Sequence, residues 1–102
     1  MSRIVIFGRI ARAEYDDAID WYEAKGAGLG RELEKEVDAV VGQIREFPEK
    51  FRHFRPRVRV ARVRRFPYSI YFAEAGNVIG VLAVFHAKRN PRVLLRRLRG
   101  EG

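Results

Sequence analysis

Two amphipathic helical segments, separated by only a few residues, constrain the fold of this chain more than any other feature. The first extends from about Ile10 to Lys25, and the second from about Leu29 to Phe47. Pro48 ends the second segment, because proline lacks the backbone N–H that a helix interior requires. Helices joined by so short a loop lie antiparallel, which predicts a helical hairpin. Each helix has one apolar stripe that needs a partner, made of Ala11, Tyr15, Ala18, Ile19 and Tyr22 in the first and of Leu29, Leu33, Val37, Val40, Val41 and Ile44 in the second.

Short apolar segments on both sides of the hairpin predict a sheet as that partner. Residues 3–7 form a β-branched run, and residues 57–65 and 68–73 also have strand character. Residues 78–85 are almost continuously apolar, which is typical of a central strand. The predicted order is β-α-α-β-β-β, an α+β fold in which the hairpin covers one face of a single sheet and the last three strands form an antiparallel meander. A length of 102 residues suits one domain, residues 1–102.

Positive charge is concentrated in the second half of the chain. The formal net charge is +8, and it divides into −3 for residues 1–50 and +11 for residues 51–102. No acidic residue lies between Phe51 and Ala73, where seven arginines occur. This asymmetry favours a polyanionic or strongly acidic partner. A basic surface that is merely solvated is the alternative.

Arginine and valine alternate through residues 57–65, and the alternation slips by one residue after Ala61. Such a slip turns side chains to the opposite face of a strand, and a β-bulge near Ala61 would compensate for it. We therefore predict one row of cations on the sheet face that the hairpin leaves open, made of Arg57, Arg59, Arg62 and Arg64. Three roles stay open at this point: contact with phosphates, contact with an acidic protein segment, or solubility of the face.

Candidate chemistry is sparse. His86 ends the apolar strand, where it could act as a general acid or base or simply terminate the strand. Trp21 is either a core residue or an anchor for a partner. The chain has two histidines and no cysteine, so we expect neither a metal site nor a cofactor. No apolar segment approaches the length needed to span a bilayer, so we expect a cytoplasmic protein without membrane contact. A metal-free ribonuclease remains chemically feasible.

Four motifs in one order carry a family resemblance. They are Ala18-Ile19-Asp20-Trp21-Tyr22, Gly28-Leu29-Gly30, Arg64-Arg65-Phe66-Pro67-Tyr68-Ser69-Ile70-Tyr71 and Leu82-Ala83-Val84-Phe85-His86-Ala87-Lys88-Arg89-Asn90-Pro91. With them, the chain resembles the RelE/ParE superfamily, the toxins of bacterial type II toxin–antitoxin systems, often labelled plasmid stabilisation proteins. The resemblance extends from about Val5 to Leu98.

The resemblance implies a tightly bound antitoxin encoded beside the toxin. In the ParE branch the antitoxin is similar to ParD, with a ribbon-helix-helix part that binds operator DNA and a C-terminal tail that folds onto the toxin. Operator DNA would then be contacted only through the antitoxin. A disordered acidic tail suits the open face of the arginine strand. The expected antitoxin-binding residues are Arg57, Arg59, Arg62, Tyr68, Tyr71 and Trp21.

The two branches imply different activities. The RelE branch cleaves messenger RNA in the ribosome and carries an arginine where this chain has Ser69 and a catalytic tyrosine where it has Leu95; Arg89 alone matches. The motif at residues 65–68 resembles the ParE branch, whose members poison DNA gyrase. We therefore expect a gyrase poison. Its toxin surface would consist of Arg64, Arg65, Lys88 and Arg89 and of the arginines within residues 92–99. The alternatives are a ribosome-dependent ribonuclease that uses Arg89 and His86, and a non-toxic basic binding module.

Overall fold

A computed structural model describes residues 3 to 101. The predicted helical hairpin is confirmed and consists of α1 (Arg9–Lys25) and α2 (Leu29–Glu46). Gly28, which precedes α2, has a φ of 90°, a left-handed conformation that favours glycine. The Glu23 carboxylate of α1 accepts hydrogen bonds from the backbone N–H groups of Gly28 and Gly30, both at 3.0 Å. The end of one helix thus caps the beginning of the next.

The hairpin packs on one face of a single five-stranded sheet. Its strands are β1 (Ile4–Phe7), β2 (His53–Arg55), β3 (Val58–Arg62), β4 (Tyr68–Ala75) and β5 (Val78–His86), in the order β1-β5-β4-β3-β2. β1 is parallel to β5, and the other pairs are antiparallel. The α+β class and the interior position of β5, between β1 and β4, agree with the prediction. Four strands rather than three follow the hairpin, because three residues of β2 are too few for a periodic pattern to show.

Two apolar clusters lie on opposite faces of the sheet. The larger one joins the stripes of α1 and α2 to the sheet and includes Leu33, Ile44 and Phe72, all almost fully buried. On the other face, the C-terminal segment forms α3 (Pro91–Arg96), which continues into a wider helical turn over Arg97–Glu101. Leu94 of α3 is 1% exposed and packs with Ala83 and Phe85 in the second cluster. This segment therefore covers part of the face that we expected to be open.

The predicted row of four arginines on one face is wrong. The β3–β4 register is continuous from Arg59, opposite Phe72, to Arg62, opposite Ser69, with no bulge at Ala61. Arg59 and Arg62 stand three positions apart in a regular strand, so they point to opposite faces. Arg57 lies in the turn before β3 and Arg64 in the loop after it. The slip in the sequence pattern is therefore a change of face within a regular strand, because Arg62 still pairs with Ser69.

A bulge is present in β5 instead. Val81 pairs with Phe72 and Ala83 pairs with Tyr71, so Leu82 between them has no partner in β4. A bulged residue changes the face to which the following side chains point. Val81 accordingly belongs to the cluster under the hairpin, whereas Ala83 belongs to the cluster under α3. The bulge thus lets one apolar strand supply both clusters.

Candidate functional site

The end of β1 leaves part of β5 without a strand neighbour on one side. β1 pairs with residues 78–81 of β5, and its last pair is Phe7 with Val81. Beyond Val81, this edge of β5 faces α1 across an open groove of about 410 Å³. We call it the β5 groove; it is lined by Glu14, Asp17, Ala18, Trp21, Tyr68, Val84, His86 and Arg89. A groove between a strand edge and a helix offers a concave surface to a partner.

The Glu14 carboxylate of α1 organises the floor of this groove. Its Oε1 accepts a hydrogen bond of 2.9 Å from the Val84 N–H on the free edge. Its Oε2 contacts Arg89 Nη1 at 2.6 Å and Arg97 Nη2 at 2.7 Å. Burial disfavours the charged carboxylate, but the hydrogen bonds from Arg97, Val84 and Arg89 outweigh burial and lower the pKa of Glu14. The cluster therefore holds an ionised carboxylate between two guanidinium groups.

Arg97 closes one end of the free edge. Its Nη1 donates to the carbonyl of Leu82, the bulged residue, at 3.1 Å and to Glu14 Oε1 at 3.2 Å. The side chain is 17% exposed, so it is largely removed from water. A carbonyl that the bulge leaves without a strand partner is thereby satisfied by the C-terminal segment.

Arg89 and His86 lie at the mouth of the groove, and both are held in place. The Arg89 guanidinium lies 4.5 Å from the centroid of the Phe85 ring, a cation–π contact, in addition to its ion pair with Glu14. His86 Nδ1 accepts a hydrogen bond of 3.0 Å from the Lys88 N–H. The proton of the neutral imidazole therefore sits on Nε2. The ring also makes an edge contact with Tyr68, with 5.0 Å between centroids.

Aromatic side chains form the apolar part of the groove. Trp21 is 54% exposed, which is a large fraction for this residue type, and Lys25 Nζ lies 4.7 Å from the centroid of its ring. Tyr68 lines the same groove and is half-buried, and burial raises the pKa of its hydroxyl. Half-exposed aromatic side chains that line a groove are typical anchors for a protein partner.

The structure separates the other residues predicted to bind the antitoxin. Arg59 turns to the backbone and donates to the Phe51 carbonyl at 2.6 Å, beside a second depression that Arg57 also lines. Tyr71 lies on the face under α3, where its ring contacts Phe54 with 4.9 Å between centroids. Arg62 is exposed at the end of β3. Of the six residues, the β5 groove brings together Trp21 and Tyr68.

The predicted toxin surface is also divided. Lys88 is exposed next to the groove and Arg64 is exposed in the loop before β4. Arg65 forms ion pairs with Glu32 at 2.7 Å and with Glu36 at 3.7 Å, which ties the loop to α2. Its φ of 72° is a left-handed conformation that side chains other than glycine rarely adopt.

Sequence reasoning missed the roles of Glu14 and Arg97. Glu14 follows Ala11 by three residues and precedes Ala18 by four, and both alanines are buried. A carboxylate in the same stripe as two buried small residues was the available signal. Nothing local in the sequence distinguishes Arg97 from the other arginines of the tail.

No group of three potential metal ligands occurs within residues 3–101. None of the helices in that range is both long and apolar enough to cross a membrane.

Comparison with known proteins places the chain among the relatives of one group of toxins. A family model described as the ParE toxin of the type II toxin–antitoxin system, parDE, matches residues 5–91. A chain in a solved structure of the chromosomal ParDE TA system from P. aeruginosa has a similar fold, with a TM-score of 0.72 and 20% identity over 84% of this chain and 97% of that chain. No curated protein matches the sequence significantly. The family match includes every residue that lines the β5 groove, whereas Arg97 lies outside it.

Proposed function

The chain belongs to the ParE toxin family of type II toxin–antitoxin systems, and from that premise we propose that it poisons DNA gyrase and is neutralised by a ParD-type antitoxin. The family membership supports a toxin, and the resemblance of residues 65–68 to the ParE branch supports gyrase as the target. In this proposal the toxin acts by binding and does not hydrolyse its target.

The ion pair between Arg89 and Glu14 is the observation that carries this proposal. An arginine that stabilises a phosphorane must direct its N–H groups at the phosphoryl oxygens. Arg89 Nη1 instead lies 2.6 Å from Glu14 Oε2, so one of its N–H groups is already bound to a carboxylate of the same chain. Ser69 and Leu95 occupy the two positions where the ribonuclease branch carries its other catalytic residues. A binding role is therefore favoured over ribonuclease chemistry.

The β5 groove is the proposed seat of the antitoxin. A segment of the antitoxin would lie in the groove between α1 and β5 near Val84 and His86. It would be held by side-chain contacts, because Glu14 and Arg97 already satisfy the Val84 N–H and the Leu82 carbonyl. Its apolar side chains would contact Trp21 and Tyr68, and its acidic side chains would lie near Lys88. The net charge of +8 would attract an acidic tail and accelerate its association.

Neutralisation would follow from overlap of the two surfaces. Lys88 and Arg89 belong to the proposed toxin surface; Arg89 lines the groove, and Lys88 is the exposed residue that precedes it. A segment bound in the groove would cover them. The antitoxin would therefore block gyrase by occlusion, without any change in the toxin fold.

A supercoiling assay with purified gyrase tests the proposal. The chain alone should inhibit supercoiling and increase the amount of cleaved DNA, and prior addition of the antitoxin should abolish both effects. In cells that express the chain alone, thymidine incorporation should fall before methionine incorporation. An early collapse of methionine incorporation with unaffected gyrase would contradict the proposal and favour the ribosome as the target. Growth without any effect on either would favour the non-toxic binding module.

A further inference from the structure

Four arginines from two distant parts of the chain line one shallow depression of about 280 Å³. One comes from β2, and the others come from α3 and the helical turn that follows it. Leu95 completes the lining. We call this surface the C-terminal arginine patch; it consists of Arg55, Arg92, Arg96 and Arg99.

Within the part of the chain whose side chains are described, no acid compensates the charge of the patch. All four arginines are exposed, and among the described side chains no carboxylate forms an ion pair with any of them. Arg97 shows the contrast, since it belongs to the same segment but points inward to Glu14. Four guanidinium groups held close together create a local positive potential that attracts a polyanion.

The backbone that carries the patch is anchored. The Asn90 side chain accepts a hydrogen bond of 2.9 Å from the Arg92 N–H and caps α3. Leu94 of α3 is buried against Ala83 and Phe85 of the sheet. Arg97 holds the following turn against β5 through its hydrogen bond to the Leu82 carbonyl. The backbone positions of the patch are therefore fixed before any ligand arrives, which lowers the entropy cost of binding.

We propose that the C-terminal arginine patch binds the phosphate backbone of double-stranded DNA, without sequence preference. The planar guanidinium fork matches phosphate oxygens. Single-stranded nucleic acid is disfavoured because binding of unpaired bases relies on aromatic stacking, and no aromatic side chain lines the patch. A peptide with apolar side chains is better suited to the β5 groove, which is lined by Trp21 and Tyr68.

This inference rests on the proposed function and extends it. A gyrase poison acts on an enzyme that holds duplex DNA, and a second contact to that DNA would raise the affinity of the toxin for the loaded enzyme. Operator recognition stays with the antitoxin in this scheme. The patch would add a contact to the backbone only.

The test measures binding of the full chain, without gyrase, to a fluorescently labelled DNA duplex. Anisotropy titrations between about 50 and 200 mM salt give both the affinity and its salt dependence. The triple variant Arg92→Ala, Arg96→Ala, Arg99→Ala should bind at least about tenfold more weakly. The plot of log affinity against log salt has a negative slope, and its absolute value should decrease by about three. Circular dichroism and thermal melting verify that the variant is folded. Arg55→Ala, which leaves the C-terminal helix unchanged, should decrease the absolute value of this slope by about one.

A matched triple variant separates the patch from net charge. Arg9, Arg31 and Lys35 are exposed on the helical hairpin, and their replacement by alanine removes the same charge. This control should change the slope much less than the patch variant does. Equal losses in the two variants would overturn the proposal, because net charge alone would then explain binding. Equally tight binding of single-stranded DNA would overturn it as well, as would absence of duplex binding by the unmodified chain.

The outcomes for the patch and for gyrase are distinguishable. Inhibition of gyrase by a chain that does not bind duplex DNA would overturn the patch proposal and leave the proposed function intact. Duplex binding that depends on the patch, in a chain without effect on gyrase, would support the patch and contradict the proposed function.

Discussion

Glu14 and Arg97, which lie 83 residues apart in the chain, form a bidentate ion pair with distances of 3.2 Å and 2.7 Å. The pair joins α1 to the C-terminal segment across the bulged part of β5. Glu14 also accepts the Val84 N–H, and Arg97 also donates to the Leu82 carbonyl. Two side chains thus satisfy the strand edge that β1 leaves unpaired, and they place Arg89 at the mouth of the groove.

Replacement of Glu14 by Gln should lower the free energy of unfolding by about 2 kcal/mol. The substitution keeps the shape of the side chain but leaves the largely buried Arg97 and the more exposed Arg89 without their counter-ion. Loss of the partner of a largely buried charge is costly. Urea unfolding measures the change. Asp16→Asn is the control, because Asp16 forms an exposed pair with Arg12 at 3.6 Å and should cost less than about 0.5 kcal/mol. Equal losses in the two variants would contradict a structural role for Glu14.

The stability that Glu14 contributes should depend on pH in the acid range. The folded pKa of Glu14 is below its ordinary value of 4.5, so its contribution is present above pH 4.5 and is lost as the pH falls through the folded pKa. The difference in unfolding free energy between the unmodified chain and Glu14→Gln should therefore shrink below pH 4.5. Urea titrations at a series of acid pH values measure this difference. A constant gap over that range would show that the charge of Glu14 is not the stabilising feature.

Tyr15 should make the fold sensitive to alkali. Its side chain is 6% exposed and stacks on Phe7 at 5.6 Å between centroids. Burial raises the pKa of its hydroxyl from 10.0 to about 12, and Asp38 and Glu34 add to the effect. The folded state thus disfavours the phenolate, so stability is complete below pH 10 and decreases as the pH rises towards 12. Tyr15→Phe should show a flatter decrease over that interval in denaturant titrations; identical curves would contradict the assignment.

Two glycines of α2 should respond to alanine in opposite ways. A Cβ on Gly30 would meet the Ile19 carbonyl oxygen and Glu23 Oε1, both at 3.0 Å, where α1 and α2 approach each other. A Cβ on Gly42 would have no atom within 4 Å. Gly30→Ala should destabilise the chain by about 1 to 2 kcal/mol through overpacking, whereas Gly42→Ala should stabilise it by about 0.5 to 1 kcal/mol through helix propensity. Thermal or urea unfolding of both variants decides the matter, and stabilisation by Gly30→Ala would contradict the close approach.

Trp21 should be an anchor for the antitoxin and contribute little to the fold. Because its side chain is 54% exposed, Trp21→Ala should change the unfolding free energy by less than about 1 kcal/mol. The affinity of the Trp21→Ala variant for the antitoxin should be about 30-fold lower or more, as expected for an aromatic hot spot. Trp21 is the only tryptophan of the chain, so its fluorescence should shift to the blue when the antitoxin covers it. Unchanged affinity and an unshifted spectrum would place the antitoxin elsewhere.

Much of the fold could be predicted because it is encoded locally. The stripes of α1 and α2, the stop at Pro48 and the apolar run of β5 each depend on periodicities that span less than 20 residues. β2 was not predicted, because its three residues are too few to show a periodic pattern. The position of the C-terminal segment on the opposite face of the sheet depends on the contact of Leu94 with Ala83 and Phe85, which no local pattern reports.

The sequence by itself determined the helical hairpin, the α+β class and the charge of the second half of the chain, since these follow from local periodicity and composition. Tertiary structure alone decided which arginines act together. The face on which a strand residue points depends on register and on bulges, so Arg59 and Arg62 were separated while Arg55 joined the arginines of the C-terminal helix. The tertiary structure also determined the role of Glu14, because an ion pair between residues that are 83 positions apart forms only when the fold brings them into contact.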